Sequence, residues 1–161
     1  MIPYGRQSIS QDDIDAVVSV LNSDFLTQGP VVPSFESAVK KIVESKFAIA
    51  VNSATSALHL ACLSLGVGKG DLVWTSAITF VASANCALYC GASVDFIDID
   101  ERTYNLCVNS LEEKLVKAKK TGKLPKVVIP VHLCGQSCDM ERIYQLRLKY
   151  EFKIIEDASH S

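Results

Sequence analysis

Short apolar runs alternate along most of the chain with longer stretches in which apolar residues recur every three or four positions. The short runs are typical of buried strands, and the longer stretches are typical of helices. Because strands that alternate with helices form parallel sheets, the pattern predicts an α/β fold with a mostly parallel sheet in a three-layer α/β/α arrangement. The five predicted strands are Phe47–Val51, Asp71–Trp74, Ser93–Ile97, Val127–Val131 and Phe152–Glu156.

The first 45 residues lack such a run and are expected to form an N-terminal arm followed by two helices. Ser10 and Asp13 have the spacing of a capping box, which predicts that the first helix begins after Ser10. We therefore divide the chain into an N-terminal region, residues 1–45, and a βαβ domain, residues 46–161.

Composition narrows the function classes. The 161 residues are 48% hydrophobic and 21% charged, and their net charge is −2. That balance describes a globular protein and provides no basic surface for nucleic acid. The sequence has no charged-then-apolar signal segment at its start, and no apolar run is long enough to cross a bilayer. We therefore expect a cytoplasmic protein that binds neither nucleic acid nor a membrane.

The six cysteines raise the question of a metal site. His132, Cys134 and Cys138 form a cluster whose side chains could bind zinc. Structural zinc sites usually pair their ligands more tightly, and the chain has no Cys-x-x-Cys pair. We therefore favour no metal site and interpret the cysteines as small hydrophobic residues in the reduced state.

The segment Asn52–Ser56 follows a predicted strand and opens a predicted helix. Backbone amides at a helix N-terminus, with hydroxyl side chains beside them, form a site for an anion such as phosphate. The alternative is an ordinary helix cap, for which serine and threonine are common. Neither the P-loop pattern nor the Gly-x-Gly-x-x-Gly pattern occurs, which argues against a P-loop ATPase and a nicotinamide-binding domain.

Asp157 follows the last predicted strand, so its carboxylate is expected at the carboxyl end of a buried strand. A buried carboxylate needs a partner, which can be a metal ion or a protonated ring nitrogen; a helix cap is the alternative. His160 lies three residues further on and can face the same way. Phe80, at the predicted start of a helix, could stack on a planar ring or belong to the core. Phosphate, ring face and ring nitrogen are the three parts by which a protein holds pyridoxal phosphate.

Three segments resemble motifs of the DegT–StrS sugar aminotransferases, which are pyridoxal-phosphate enzymes of fold type I. These segments are Val51–Leu58, Thr79–Asn85 and Glu156–His160. Shorter matches at Leu26–Pro30 and Val131-His132 occur in the same order. The resemblance implies the N-terminal part of the large domain of such an enzyme. It is strongest to the branch that aminates C4 of a UDP-linked 4-keto-6-deoxy amino sugar, with glutamate as donor, in pseudaminic acid biosynthesis.

The resemblance also implies roles for individual residues. The implied cofactor residues are Ala54, Thr55, Ser56, Phe80, Asp157 and His160. The amides of residues 54–56 and the Thr55 hydroxyl would bind the cofactor phosphate, and Phe80 would stack on the pyridine ring. Asp157 would hold the ring nitrogen, and His160 would approach the phenolic oxygen. The implied nucleotide-sugar residues are Tyr4, Asp24, Phe25, Leu26 and Thr27.

The family's Schiff-base lysine lies in a Ser-Phe-His-x-x-Lys-type segment beyond the Asp-x-x-His motif. These 161 residues do not include that segment, and Lys46, Lys69 and Lys126 do not match it. We therefore expect a fragment with an incomplete βαβ domain, no catalytic residue and no activity by itself. Two alternatives stay open: a non-catalytic truncated product or interaction module, and a fragment of a dehydratase-type member of the family. Because family enzymes are dimers, a homodimer or another form of self-association is expected.

Overall fold

The computed structural model describes residues 6–161, in which six helices and four strands are found. The helices are α1 (Gln11–Leu21), α2 (Val31–Ile42), α3 (Ala54–Ser64), α4 (Ala82–Tyr89), α5 (Val108–Thr121) and α6 (Met140–Tyr150). The strands are β1 (Leu72–Ser76), β2 (Ser93–Ile97), β3 (Val127–Ile129) and β4 (Lys153–Ile154). The chain divides into two compact units, Met1–Ala50 and Val51–Ser161.

All four strands belong to the second unit, where they form one parallel sheet in the order β2-β1-β3-β4. Trp74 in β1 stands opposite Asp95 in β2 and Val128 in β3, which fixes the register of the three strands. A helix lies between each strand and the next along the chain. The predicted fold class, an α/β protein with a mostly parallel sheet, is confirmed.

Hydrophobic side chains fill both faces of this sheet. On one face Trp74, Val128 and Phe152 pack with residues of α5 and α6. On the other face Val73 and Val127 pack with residues of α3 and α4. Successive residues of a strand point to opposite faces, so a strand that is covered on both sides is apolar throughout. This is the reason that the inner strand β3 appears in the sequence as a continuous apolar run, whereas the edge strand β2 contains Ser93 and Asp95.

The first unit contains α1 and α2. The predicted capping box is confirmed: Ser10 Oγ accepts the N–H of Asp13 at 3.3 Å, and Asp13 Oδ2 accepts the N–H of Ser10 at 2.7 Å. Neither helix buries a residue, and apolar side chains such as Phe35 and Ile42 are exposed. Within residues 6–161, no helix has both the length and the hydropathy that a membrane span requires.

The strand predicted at Phe47–Val51 is wrong. The segment forms neither helix nor strand, and Phe47 and Ile49 are 74% and 80% exposed. A strand needs a neighbouring strand to bond with its backbone groups, and no other part of residues 6–161 pairs with this segment. The strand predicted at Val127–Val131 is shorter than expected and ends at Ile129, because Pro130 has no N–H to donate to a ladder.

Candidate functional site

A cavity of about 250 Å³ opens at the carboxyl ends of β1, β3 and β4. The sheet order places β2 on one side of β1 and β3 on the other, so the direction in which strands are added reverses at β1. Open α/β sheets bind their ligands at such a switch point, beyond the carboxyl ends of the strands. The cavity is lined by all but one of the predicted cofactor residues, namely Ala54, Thr55, Phe80, Asp157 and His160.

The N-terminus of α3 forms one wall of the cavity. Ser53 caps this helix, because its Oγ accepts the N–H of Ser56 at 3.2 Å. The Ser56 hydroxyl donates to Asn52 Oδ1 at 2.7 Å, and Ser56 does not line the cavity. The amides of Ala54 and Thr55 occupy the first two helical positions, where no carbonyl of the same helix can accept them. Anion-binding capacity therefore lies at Ala54 and Thr55, and the role predicted for Ser56 competes with its capping bonds.

Phe80 lies at the rim, in the loop between β1 and α4. The sequence pattern predicted that this helix begins at Phe80, but in the structure α4 begins at Ala82. The Phe80 side chain is 72% exposed, which excludes the alternative that it belongs to the hydrophobic core. An accessible aromatic ring in this position can stack on a planar ligand.

Asp157 reaches the cavity because backbone pairing continues past the short strand β4. The N–H of Asp157 donates to the carbonyl of Pro130 at 2.9 Å, and the N–H of His132 donates to the carbonyl of Asp157 at 3.0 Å. These bonds hold the segment after β4 beside the segment after β3. Asp157 is thereby buried, at 6% exposure, while its side chain lines the cavity.

The Asp157 carboxylate has only neutral hydrogen-bond donors in the structure. Its Oδ1 accepts the Ser159 hydroxyl at 2.6 Å and the Ser159 N–H at 3.2 Å. Its Oδ2 accepts the Ser83 hydroxyl at 2.6 Å. Among residues 6–161 no lysine, arginine or histidine forms a salt bridge with it. A buried carboxylate is costly without partners, and among the described residues these neutral donors are the partners that Asp157 has.

His160 lies beside the short 3₁₀ turn Leu133–Gly135. Its Nδ1 accepts the backbone N–H of Cys134 at 3.2 Å. Because an amide can only donate, Nδ1 is unprotonated, and the proton of the neutral ring is on Nε2. Gly135 has φ +83°, and a Cβ there would lie 3.0 Å from the His160 carbonyl oxygen. The turn therefore packs closely against His160 and leaves its Nε2–H as a donor.

His132 also lines the cavity, although sequence analysis considered it only for a metal site and not for the cofactor. Its Nδ1 accepts the N–H of Cys138 at 3.2 Å, and its Nε2 lies 2.9 Å from Glu156 Oε2. Both ring nitrogens are therefore occupied. The Cys138 thiol donates to the carbonyl of Val131, and burial raises the pKa of that thiol. Within the described part of the chain, no three His, Cys, Asp or Glu side chains are placed to hold a metal ion.

The residues predicted to contact a nucleotide sugar belong to the N-terminal region of the sequence, and the structure does not test this prediction. Tyr4 lies outside the described residues. The segment Asp24–Thr27 forms an exposed loop between α1 and α2 in the first unit. The predicted substrate contacts of these residues stay predictions.

Ser83 is the residue that sequence reasoning missed. It is fully buried, and its hydroxyl bonds a carboxylate 74 positions away in the chain. A serine within a helix of small apolar residues carries little signal by itself. A hydroxyl at a position that faces the core was the one available clue.

Comparison with known proteins places these features in a family. The sequence matches the model of the DegT/DnrJ/EryC1/StrS aminotransferase family over residues 7–161. It is 43% identical over 161 residues to the UDP-4-amino-4,6-dideoxy-N-acetyl-beta-L-altrosamine transaminase of Campylobacter jejuni, covering 100% of this chain and 42% of that protein. It is 39% identical over 160 residues to the spore coat polysaccharide biosynthesis protein SpsC of Bacillus subtilis, covering 99% and 40%.

A solved structure supports the same placement. NtdA from Bacillus subtilis, with bound cofactor PMP, is similar to this chain with a TM-score of 0.82 and 30% identity, covering 92% of this chain and 33% of that chain. This chain spans about 40% of the length of the curated relatives it matches. The resemblance that the motifs indicated is confirmed. The chain belongs to the DegT/DnrJ/EryC1/StrS aminotransferase family, a family of enzymes that use pyridoxal phosphate.

Proposed function

We propose that this chain is the cofactor-binding part of a nucleotide-sugar aminotransferase and that it holds pyridoxal phosphate in the cavity at the sheet edge. The observation that carries the proposal is the buried Asp157 carboxylate, which lines the cavity with neutral donors only. A protonated pyridine nitrogen is the cation that this carboxylate lacks. The N-terminus of α3 and the exposed ring of Phe80 supply the two other contacts that the cofactor needs.

The five predicted cofactor residues that line the cavity then have distinct roles. Bound pyridoxal phosphate supplies an electron sink that stabilises a carbanion, which is the chemistry that amino-group transfer requires. Asp157 accepts a hydrogen bond from the ring N–H and keeps the positive charge there. The amides of Ala54 and Thr55, with the Thr55 hydroxyl, bind the phosphate. Phe80 covers one face of the ring and excludes water from it. His160 donates its Nε2–H to the phenolic oxygen.

The isolated chain should bind pyridoxamine 5′-phosphate more tightly than inorganic phosphate or pyridoxamine. Only the intact cofactor contacts both the N-terminus of α3 and Asp157, and it needs no lysine. Titration monitored by pyridoxamine fluorescence measures the affinities of pyridoxamine 5′-phosphate and pyridoxamine, and the affinity of inorganic phosphate is measured by its displacement of bound pyridoxamine 5′-phosphate. Pyridoxal phosphate should also bind, but without a covalent bond, so that borohydride treatment leaves no adduct on one specific lysine. Failure to bind pyridoxamine 5′-phosphate would refute the cofactor site, and a stoichiometric lysine adduct would refute the non-covalent mode.

For the whole protein we propose amination at C4 of a UDP-linked 4-keto-6-deoxy sugar, with glutamate as the amino donor. The identity to the altrosamine transaminase supports this sugar class, and the similarity to SpsC, a spore coat polysaccharide biosynthesis protein, supports a role in the synthesis of a bacterial surface glycan. Pseudaminic acid as that glycan and a cytoplasmic location are further parts of the proposal. Tyr4 and the loop Asp24–Thr27 would contact the nucleotide sugar. The measurement is the release of 2-oxoglutarate from glutamate in the presence of the keto sugar; a whole protein that dehydrates the sugar instead would favour the dehydratase alternative.

We also propose that the chain self-associates, as a homodimer or a larger assembly. The support is the apolar surface of α1 and α2, where Val17, Leu21, Phe35 and Ile42 are exposed. Monomeric soluble proteins rarely expose contiguous apolar patches of large area. Sedimentation of the purified chain over a range of concentrations should show a species larger than 17.5 kDa. A monomer at every concentration would contradict the proposal.

A further inference from the structure

Ser83 is a polar residue that the proposed function does not use. It is completely buried on α4, among alanine and cysteine side chains, and it does not line the cavity. A buried hydroxyl costs free energy unless it is hydrogen-bonded. The Ser83 Oγ lies 2.6 Å from Asp157 Oδ2 and 2.7 Å from Thr79 Oγ1. Both contacts lead towards the cavity, because Thr79 and Asp157 are lining residues.

The carboxylate determines the direction of both hydrogen bonds. An ionised carboxylate can only accept, so Ser83 donates its single proton to Asp157. Ser83 must then accept from the Thr79 hydroxyl. The bonds therefore run in the order Thr79, Ser83, Asp157. This series of hydrogen bonds begins at the Thr79 side chain in the cavity wall and passes through the buried Ser83. It ends on the Asp157 carboxylate, which lines the same cavity.

The two serines hold the Asp157 carboxylate by both of its oxygens. Ser159 Oγ donates to Oδ1 at 2.6 Å, and Ser83 Oγ donates to Oδ2 at 2.6 Å. Rotation of the carboxylate about its terminal bond would break both contacts. An ionised carboxylate offers about four acceptor positions, and these bonds leave at least one for a donor in the cavity. The direction of the remaining acceptor position of the Asp157 carboxylate is therefore fixed before a ligand binds.

We propose that Ser83, supported by Thr79, is a positioning residue that orients the Asp157 carboxylate towards the ring nitrogen of the cofactor. The inference rests on the proposed cofactor site and extends it. Ser83 does not touch the cofactor and acts only through Asp157. A hydrogen bond that holds an acceptor in the required direction raises affinity, because the ligand no longer has to order it.

The test compares pyridoxamine 5′-phosphate with its benzene analogue, in which CH replaces the ring nitrogen. The analogue has the same phosphate and shape but cannot bond Asp157, so the ratio of the two dissociation constants isolates the contact with the ring nitrogen. The unsubstituted chain should prefer the pyridine compound. Ser83→Ala should reduce this preference by about tenfold, because a hydrogen bond to a charged group is lost. Ser83→Thr keeps the hydroxyl and should restore the preference.

Thr79→Val provides a second test, because it removes only the outer hydroxyl at nearly constant shape. Thr79→Val should reduce the preference for the pyridine compound less than Ser83→Ala does. If circular dichroism shows that Ser83→Ala is unfolded, Thr79→Val becomes the variant that tests the proposed role of Ser83. An unchanged preference in the deciding variant would overturn the role of Ser83 and leave the cofactor site intact. An equal loss in Ser83→Thr would assign the effect to packing and overturn it as well. If the unsubstituted chain has no preference, the cofactor site itself is refuted.

Discussion

Replacing Asp157 with alanine should weaken the binding of pyridoxamine 5′-phosphate by about 30-fold or more, since losing one partner of a buried charge pair costs roughly 2–5 kcal/mol. Asp157 is the single acidic residue that lines the cavity in the described part of the chain. No neighbouring carboxylate can therefore take over the bond to the ring nitrogen. Fluorescence titration of the variant measures the loss. The benzene analogue should lose little affinity, because it makes no bond to Asp157.

Two control variants separate the charge of Asp157 from its shape and position. Asp157→Asn keeps the size of the side chain but removes its charge, so it should lose most of the preference for the pyridine ring. Asp98→Ala removes an exposed carboxylate that follows β2 much as Asp157 follows β4, and it should bind normally. An unchanged affinity in Asp157→Ala would show that the carboxylate does not hold the cofactor.

The candidate site was predictable where its residues follow strands. Thr55 follows the run Phe47–Val51, which is not a strand, so its place in the cavity did not follow from the strand pattern. Phe80 and Asp157 come soon after β1 and β4, and the carboxyl ends of parallel strands meet at one edge of a sheet. Their convergence therefore needs no knowledge of side-chain packing. Ser83 and Thr79 depend on a contact between α4 and the segment after β4, which are distant in the chain. No local pattern records that contact, so the bonds that link these hydroxyls to Asp157 could be found only in the structure.

The fold was predictable in its layers but not in the limits of its strands. An apolar run shows that a segment is suited to burial, but a strand also needs a partner with free backbone groups. The run Phe47–Val51 has no such partner in the described chain and is largely exposed. An error in the same direction occurs at β4, which has only two residues although its apolar run is longer. Strand order is likewise set by long-range packing, and the sequence contained no local sign that β1 would lie between β2 and β3.

Because β4 is short, the position of Asp157 also depends on the packing of Phe152, the residue that precedes β4, in the hydrophobic core. Phe152 directly precedes β4 and is 1% exposed. Its ring packs in the core cluster with Trp74, Ile143 and Tyr150. The backbone bonds of Asp157 with Pro130 and His132 extend the short pairing of β4, and this buried ring further anchors the chain that leads to Asp157. The hydrophobic core beneath α6 and the cavity at the sheet edge are therefore connected through one short stretch of backbone.

Phe152→Ala should lower the free energy of unfolding by about 3–5 kcal/mol, because it removes a buried ring and leaves a cavity. Urea unfolding should show a lower midpoint with an unchanged slope. Leu148→Ala is a matched control on α6, since Leu148 is exposed, and its effect should stay within about 0.5 kcal/mol. Pyridoxamine 5′-phosphate should raise the midpoint of the unsubstituted chain, because a ligand that binds only the folded state stabilises it. A loss below about 1 kcal/mol in Phe152→Ala would mean that β4 and Asp157 are held by their backbone bonds alone.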